Sequence, residues 1–144
     1  MTLRPAAIRE RLRKLREILH NLDEVQNVPR EEFIASFRHY WLAERSLQLA
    51  AETVFDIGNH LLAGHFNLHA SDYEDVLDRL VGQGVISARL REDLRGLGGF
   101  RNVLVHGYLE IDEDRVYRSL QEELAGFDDF AREIERFLEE LTTS

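Results

Sequence analysis

The chain has 144 residues, of which 44% are hydrophobic, and this is enough for one ordinary domain with a buried core. It has no cysteine, which excludes disulfides, a thiolate nucleophile and a cysteine metal site. The formal net charge of −9 argues against a general role in coating nucleic acid. No window resembles a signal peptide or approaches the ~20 apolar residues of a membrane span. We therefore expect residues 1–144 to form a single cytoplasmic domain with no membrane association.

The first two predicted helices follow from apolar spacing. Apolar residues recur at intervals of four and three from about Pro5 to Val25, which predicts the first helix. The second helix is predicted from Arg30 to about Leu62. Its apolar surface is wider than one stripe, as is typical of a central helix that is contacted on several sides. Residues 63–70 are predicted to be a loop.

The third predicted helix is marked at both ends. Ser71 and Glu74 have the Ser-x-x-Glu pattern of a capping box, with apolar residues at helical spacing after it. Gly82 and Gly84 mark its end. The third helix therefore covers about ten residues between two short connections.

The remaining two predicted helices both contain glycine. The fourth runs from about Ser87 to His106, and glycines in its middle predict a weak spot or a close helix contact: Gly96, Gly98 and Gly99. The last helix starts after Asp112, a good N-cap residue, and its apolar spacing continues across Gly126. No alternating strand pattern is present. The sequence thus predicts an all-α, up-and-down bundle of about five helices.

Positive charge is concentrated near the N-terminus, although the whole chain is acidic. Residues 4–16 contain six cations against the single acid Glu10: Arg4, Arg9, Arg11, Arg13, Lys14 and Arg16. This first helix could bind RNA, face a partner or be a solvated surface, and a solvated surface is the default interpretation of such a charge run.

Residues 101–108 are the main candidate for chemistry, because they combine Arg101, Asn102, His106 and Tyr108. Asn102 and His106 share a helix face, and Gly107 indicates that the helix ends at His106. RNA is cleaved when a 2′-OH attacks the adjacent phosphate. A histidine can move the proton and an arginine can stabilise the charge that develops on phosphorus, without a metal. Spacing alone favours a structural role, since arginine and histidine share helices in many bundles.

A second cluster contains three histidines, which are His60, His65 and His69. Their spacing does not match a standard metal site, part of the segment is predicted to be loop, and no cysteine supports it. We therefore expect no metal site and no cofactor.

The motif and its surroundings resemble the HEPN superfamily, and more closely the HepT-type toxins of bacterial HepT–MntA toxin–antitoxin pairs. The family motif is an arginine, a spacer of four to six residues, a histidine, one residue and a tyrosine. Arg101, His106 and Tyr108 match it fully. The resemblance extends to residues 40–60 and to residues 109–117, and so covers nearly the whole chain.

The resemblance implies a homodimer in which two motifs meet in one cleft and cleave RNA without a metal. Arg101 and His106 would be catalytic, and Asn102 and Tyr108 would support them. A small MntA-like nucleotidyltransferase antitoxin would be the partner, and it would silence the enzyme by transferring AMP from ATP to Tyr108. Asp56 and Asn59 are further candidates to line the site.

Two alternatives to a ribonuclease toxin remain open from the sequence. The acidic net charge favours a non-catalytic helical module that associates with a nucleotidyltransferase partner or with nucleotide. A plain helical dimer, with His106 as a satisfied core residue, is the other alternative.

Overall fold

The structure is a computed structural model that describes residues 3–107 and 112–143. Within these residues the chain is helical and has no strand, as predicted. The described residues form eight helices, which are in chain order α1 Pro5–Gln26, α2 Arg30–Ala35, α3 Phe37–His65, α4 Tyr73–Gly82, α5 Ala88–Asp93, α6 Leu97–His106, α7 Glu113–Glu122 and α8 Leu124–Thr143.

The long helix α3 occupies the centre of the bundle. It packs against α1, α4, α6 and α7, and its apolar residues are buried on several sides. The helix α1 buries one regular stripe: Ile8, Leu12, Leu15, Ile18, Leu22 and Val25. These surfaces belong to one hydrophobic core, to which every helix contributes. None of the described helices is both long and apolar enough to cross a membrane.

The helix count exceeds the predicted five because three predicted helices are each divided into two. The second is interrupted at Ser36, whose backbone is extended with φ −116° and ψ 109°. The fourth is interrupted at the left-handed Gly96, with φ 86°. The fifth is interrupted at Glu123, not at Gly126. The break at Ser36 allows α2 to pack on α7, where Phe33 is fully buried against the ring of Tyr117.

Two predicted boundaries around the third helix are wrong. Helix α3 continues to His65, so the loop is shorter than the predicted residues 63–70. The cap of α4 is Asp72, whose carboxylate accepts a hydrogen bond from the Asp75 N–H at 2.7 Å. Glu74 does not complete a capping box with Ser71, because its carboxylate is bound to another helix.

Candidate active site

The candidate motif lies on α6, and its C-terminal end was predicted correctly. His106 is the last residue of the helix, and the Gly107 N–H donates to the Val103 carbonyl at 2.8 Å. Tyr108 lies outside the described residues. Arg101 and His106 are five residues apart, which separates them by about 140° around the helix axis and by about 7.5 Å along it.

Arg101 is held by three neighbouring groups. Its guanidinium donates to Glu52 on α3 at 3.2 Å and to Asn102 at 3.2 Å. The guanidinium carbon lies 5.3 Å from the centre of the Tyr73 ring, which is within cation–π range. The Nε–H is buried and has no hydrogen-bond partner among the described residues. The side chain is therefore fixed in position while part of its donor capacity is unused.

Asn102 lines a shallow groove of about 390 Å³ between α3, α4 and α6. Asn59 and Tyr73 line the same groove, so the structure brings two amide side chains and an aromatic ring to one place. Asp56 is not among them. Its carboxylate binds Arg11 of α1 and His60.

Helix α6 is fixed at its N-terminus by Glu74 of α4. The two oxygens of the Glu74 carboxylate accept hydrogen bonds from the N–H groups of Gly96 and Gly98, each at 3.0 Å. One oxygen also accepts from Arg91 at 3.2 Å. Carboxylates are favoured at helix N-termini because they satisfy free N–H groups and oppose the positive end of the helix dipole.

The environment of Glu74 shifts its acidity. Partial burial raises the pKa of this carboxyl, but the N–H groups of Gly96 and Gly98 together with the Arg91 guanidinium outweigh it. The pKa therefore lies below its ordinary value of 4.5. The anion is the form that holds α6 in place.

Close backbone packing accompanies this cap. A Cβ on Gly98 would lie 2.7 Å from the Cβ of Tyr73 and 3.0 Å from a Glu74 carboxylate oxygen. A Cβ on the neighbouring Gly99 would meet nothing within 4 Å. The close helix contact predicted for the glycine segment is therefore present at Gly98 and absent at Gly99.

The end of α6 that carries His106 is less constrained than the end near Arg101. The His106 side chain is exposed, and no hydrogen bond or ion pair joins it to another described residue. The interpretation of His106 as a satisfied core residue is thus wrong. Arg101 and His106 are not brought to one point by the chain, because they face different directions from the same helix.

Two histidines of the second cluster, His60 and His65, have different surroundings in the structure. His60 lies 3.3 Å from Asp56, and the His65 ring packs edge-on against Phe66 and Phe137. Throughout residues 3–107 and 112–143, no group of three or more histidine, aspartate or glutamate side chains is arranged to hold a metal ion.

Comparison with known proteins identifies the family of the chain. Residues 8–137 match the family described as ribonuclease HepT-like. The chain belongs to the HepT-like family. The HepT-like chain is 25% identical over 136 residues to the tRNA nuclease HepT of Aphanizomenon flos-aquae. The aligned region covers 94% of this chain and 92% of that nuclease. The resemblance drawn from the motif is therefore confirmed.

Solved structures with the same fold include two from bacteria. YutE of Bacillus subtilis, a cytosolic protein of unknown function, has a TM-score of 0.84 with 24% identity over 95% of this chain and 92% of its own. The tri-AMPylated HEPN toxin of Shewanella oneidensis, solved in complex with the MNT antitoxin, has a TM-score of 0.80 with 23% identity over 90% of this chain and 96% of its own. These structures share the all-α fold of the HepT-like chain.

Sequence reasoning missed three residues that position the motif in this HepT-like chain. Glu52 binds Arg101, Tyr73 packs against it, and Glu74 caps α6. Glu52 is one of several polar residues on the predicted second helix, and the sequence favoured a solvated or subunit-facing position for each of them. Glu74 was misleading, since its position after Ser71 imitates a local capping box.

Proposed function

We propose that this HepT-like chain is a metal-independent endoribonuclease toxin of a toxin–antitoxin pair. In the proposed reaction, the 2′-oxygen of a ribose attacks the adjacent phosphorus, the bond from phosphorus to the 5′-oxygen breaks, and a cyclic phosphate is left. One proton leaves the 2′-OH, and another is given to the departing 5′-oxygen. The observation that carries the proposal is the Arg101 guanidinium, which is positioned by two helices and, after one hydrogen bond from each terminal nitrogen, retains N–H groups for a phosphate.

Arg101 would stabilise the negative charge that develops on the attacked phosphate. A guanidinium presents five donors in a planar fork that matches phosphate oxygens. The contacts with Glu52 and Tyr73 hold this fork in place before RNA arrives, so that little reorganisation is needed during reaction. Asn102, bonded to Arg101 and facing the groove, would orient the RNA.

His106 would move the protons. One imidazole can accept the proton of the 2′-OH or donate to the 5′-oxygen, but it cannot be in both states at once. Because Arg101 and His106 face different directions within one chain, a second copy would bring the remaining groups to the phosphate. A homodimer with two motifs at one cleft would supply both an acid and a base.

Exposed apolar residues support this dimer. Phe37, Trp41 and Leu42 at the start of α3 are 49%, 60% and 46% exposed, and Val103 lies within the motif at 37%. Large apolar side chains that are grouped at a surface commonly mark a protein–protein interface. We therefore expect Trp41→Glu to shift the chain towards a monomer in analytical ultracentrifugation and to lower RNA cleavage with it.

Control would act through Tyr108. Addition of AMP by a nucleotidyltransferase antitoxin would place a bulky anion two residues from His106, where it would fill the cleft and repel RNA phosphate. The complex of the AMPylated Shewanella oneidensis toxin with its MNT antitoxin supports this part of the proposal. AMP transfer to this chain can be followed by mass spectrometry of the peptide that contains Tyr108.

The decisive experiment is cleavage of a mixed RNA pool by the purified chain in EDTA, with His106→Ala as the control. The exposed His106 can be replaced without opening a cavity, so we expect the variant to fold normally and to lose cleavage. Cleavage by both proteins would refute the role of His106.

Absence of cleavage by both proteins would direct attention to Tyr108. An AMP adduct on it would indicate a silenced enzyme, and the assay would be repeated after its removal. A bare tyrosine, together with binding of a nucleotidyltransferase or of ATP by calorimetry, would instead establish the non-catalytic module.

A further inference from the structure

A basic groove runs between α1 and α3, outside the motif. One part encloses about 540 Å³ and is lined by Arg4, Arg11 and His60, with an apolar floor from α1. An adjoining part of about 400 Å³ shares Arg11 and adds Arg13 and Lys14. We call these two parts the basic groove. Its only carboxylates among the lining residues are Glu10 and Asp56.

Two arginines connect the basic groove to the motif. Arg11 of α1 donates to Asp56 at 2.5 Å, and Arg101 of α6 donates to Glu52 at 3.2 Å. Glu52 and Asp56 are four residues apart on α3, so they lie on one face of that helix. Helix α3 packs against both α1 and α6. The carboxylates that hold Arg11 of the basic groove and Arg101 of the motif therefore lie about one helical turn apart on α3.

The cations of the basic groove exceed what its own carboxylates neutralise. Asp56 forms an ion pair with Arg11, so its charge is already compensated. Arg4 and Arg13 are exposed and form no ion pair within the described part of the chain. The groove is thus locally cationic, although the chain has a net charge of −9.

We propose that the basic groove binds the phosphates of RNA on one side of the cleavage point. This inference rests on the proposed ribonuclease function. An RNA strand whose attacked phosphate lies at Arg101 would cross α3 at Glu52 and Asp56, and its neighbouring phosphates would meet Arg11 and Arg4. Guanidinium groups suit this task, because they bind phosphate oxygens with paired hydrogen bonds. The basic groove would make the enzyme cleave a long single strand in preference to a short one.

The test compares Arg4→Gln/Arg11→Gln with Arg16→Gln. Arg16 is a matched control because it lies on the same helix and also forms an ion pair with another helix, to Glu135 of α8 at 2.9 Å. Cleavage is measured on a long single strand and on a dinucleotide, whose single phosphate leaves none for the groove. We expect the ratio of kcat/KM on the long strand to kcat/KM on the dinucleotide to fall roughly tenfold in the double variant. The Arg16 control should keep the wild-type ratio.

A binding measurement decides the point even if no cleavage occurs. In a His106→Ala background, the logarithm of RNA affinity is plotted against the logarithm of salt concentration. Loss of two phosphate contacts should reduce the slope by about 1.4, at about 0.7 for each contact of a single strand. The Arg16 control should keep the original slope.

Three outcomes would overturn the proposal. If the double variant and the Arg16 control had the same salt slope and the same ratio of kcat/KM values, the basic groove would not contact RNA. A parallel fall of kcat/KM on both substrates would indicate a structural effect. An unchanged RNA slope with weaker binding of the nucleotidyltransferase would make the groove a protein-docking surface. If the wild-type chain bound RNA without cleaving it, the proposed ribonuclease activity would be refuted. The comparison of salt slopes would still show whether the basic groove contacts RNA.

Discussion

Replacing Gly98 with alanine tests how α6 is fixed to the rest of the bundle. The added Cβ would lie 2.7 Å from the Cβ of Tyr73, which is too close for two carbon atoms, and 3.0 Å from Glu74. Because the Tyr73 atom is close to the backbone, relief requires α6 or α4 to move. The same movement would displace Arg101, which contacts the Tyr73 ring.

The expected change in the free energy of unfolding of Gly98→Ala has three contributions. Overpacking at such a contact costs about 1–3 kcal/mol. Weakening the Gly98–Glu74 hydrogen bond costs roughly 1 kcal/mol. The reduced backbone freedom of alanine returns about 0.5–1 kcal/mol. We therefore expect Gly98→Ala to destabilise the chain by about 2 kcal/mol. Gly99→Ala, which meets nothing within 4 Å, should instead stabilise it by about 0.5–1 kcal/mol.

The assay is urea unfolding followed by circular dichroism, together with RNA cleavage by both variants. We expect Gly98→Ala to unfold at lower urea with an unchanged slope and to cleave more slowly, because Arg101 is displaced. Gly99→Ala should cleave as wild type does. Stability changes of the same sign and size in the two variants would refute the close contact at Gly98 as the constraint on α6.

Three further predictions follow from named contacts. The pKa of Glu74 is lowered in the folded chain, so its stabilising effect is present above about pH 4.5 and is lost as the pH falls through the folded value. Urea unfolding across pH should show that Glu74→Gln costs about 1 kcal/mol at neutral pH and much less in acid. Glu52→Gln should change the free energy of unfolding by less than about 1 kcal/mol, since the ion pair with Arg101 is partly exposed. Its kcat/KM for RNA should fall about tenfold, because Arg101 loses the carboxylate that holds it. An unchanged kcat/KM would contradict this role of Glu52. Phe33→Ala should cost about 3–5 kcal/mol in the same unfolding assay, because this residue of α2 is fully buried against Tyr117 of α7.

Helix α1 was predictable because its information is local. Helix α1 was predicted as Pro5–Val25 and is found as Pro5–Gln26, since its single apolar stripe and its proline at the start act within the helix itself. The N-cap at Asp112 and the end of α6 at His106 were predicted for the same reason. The all-α fold followed from apolar periodicity alone.

The missed features depend on contacts between distant parts of the chain. The breaks at Ser36 and Glu123 have no proline or glycine at the break itself, so no local signal in the sequence marks them. Glu52 meets Arg101 across 49 positions of sequence, and spacing within one helix cannot reveal such a pair. Glu74 matches a local capping-box pattern with Ser71, but its carboxylate accepts hydrogen bonds from the N–H groups of Gly96 and Gly98 at the start of α6. The catalytic roles of Arg101 and His106 stay predictions until cleavage is measured.

The uneven anchoring of α6 would make the activity of the proposed enzyme depend on its own abundance. Glu74 and Glu52 fix one end of the helix within a single chain, whereas the exposed His106 at the other end has no anchor among the described residues. If a second copy completes the cleft, the number of working sites rises with the square of protein concentration whenever that concentration is far below the dimer dissociation constant. Halving the amount of protein would then leave about a quarter of the RNA cleavage. Under the proposed function, trace synthesis would therefore cleave disproportionately little RNA, and accumulation would cleave disproportionately more.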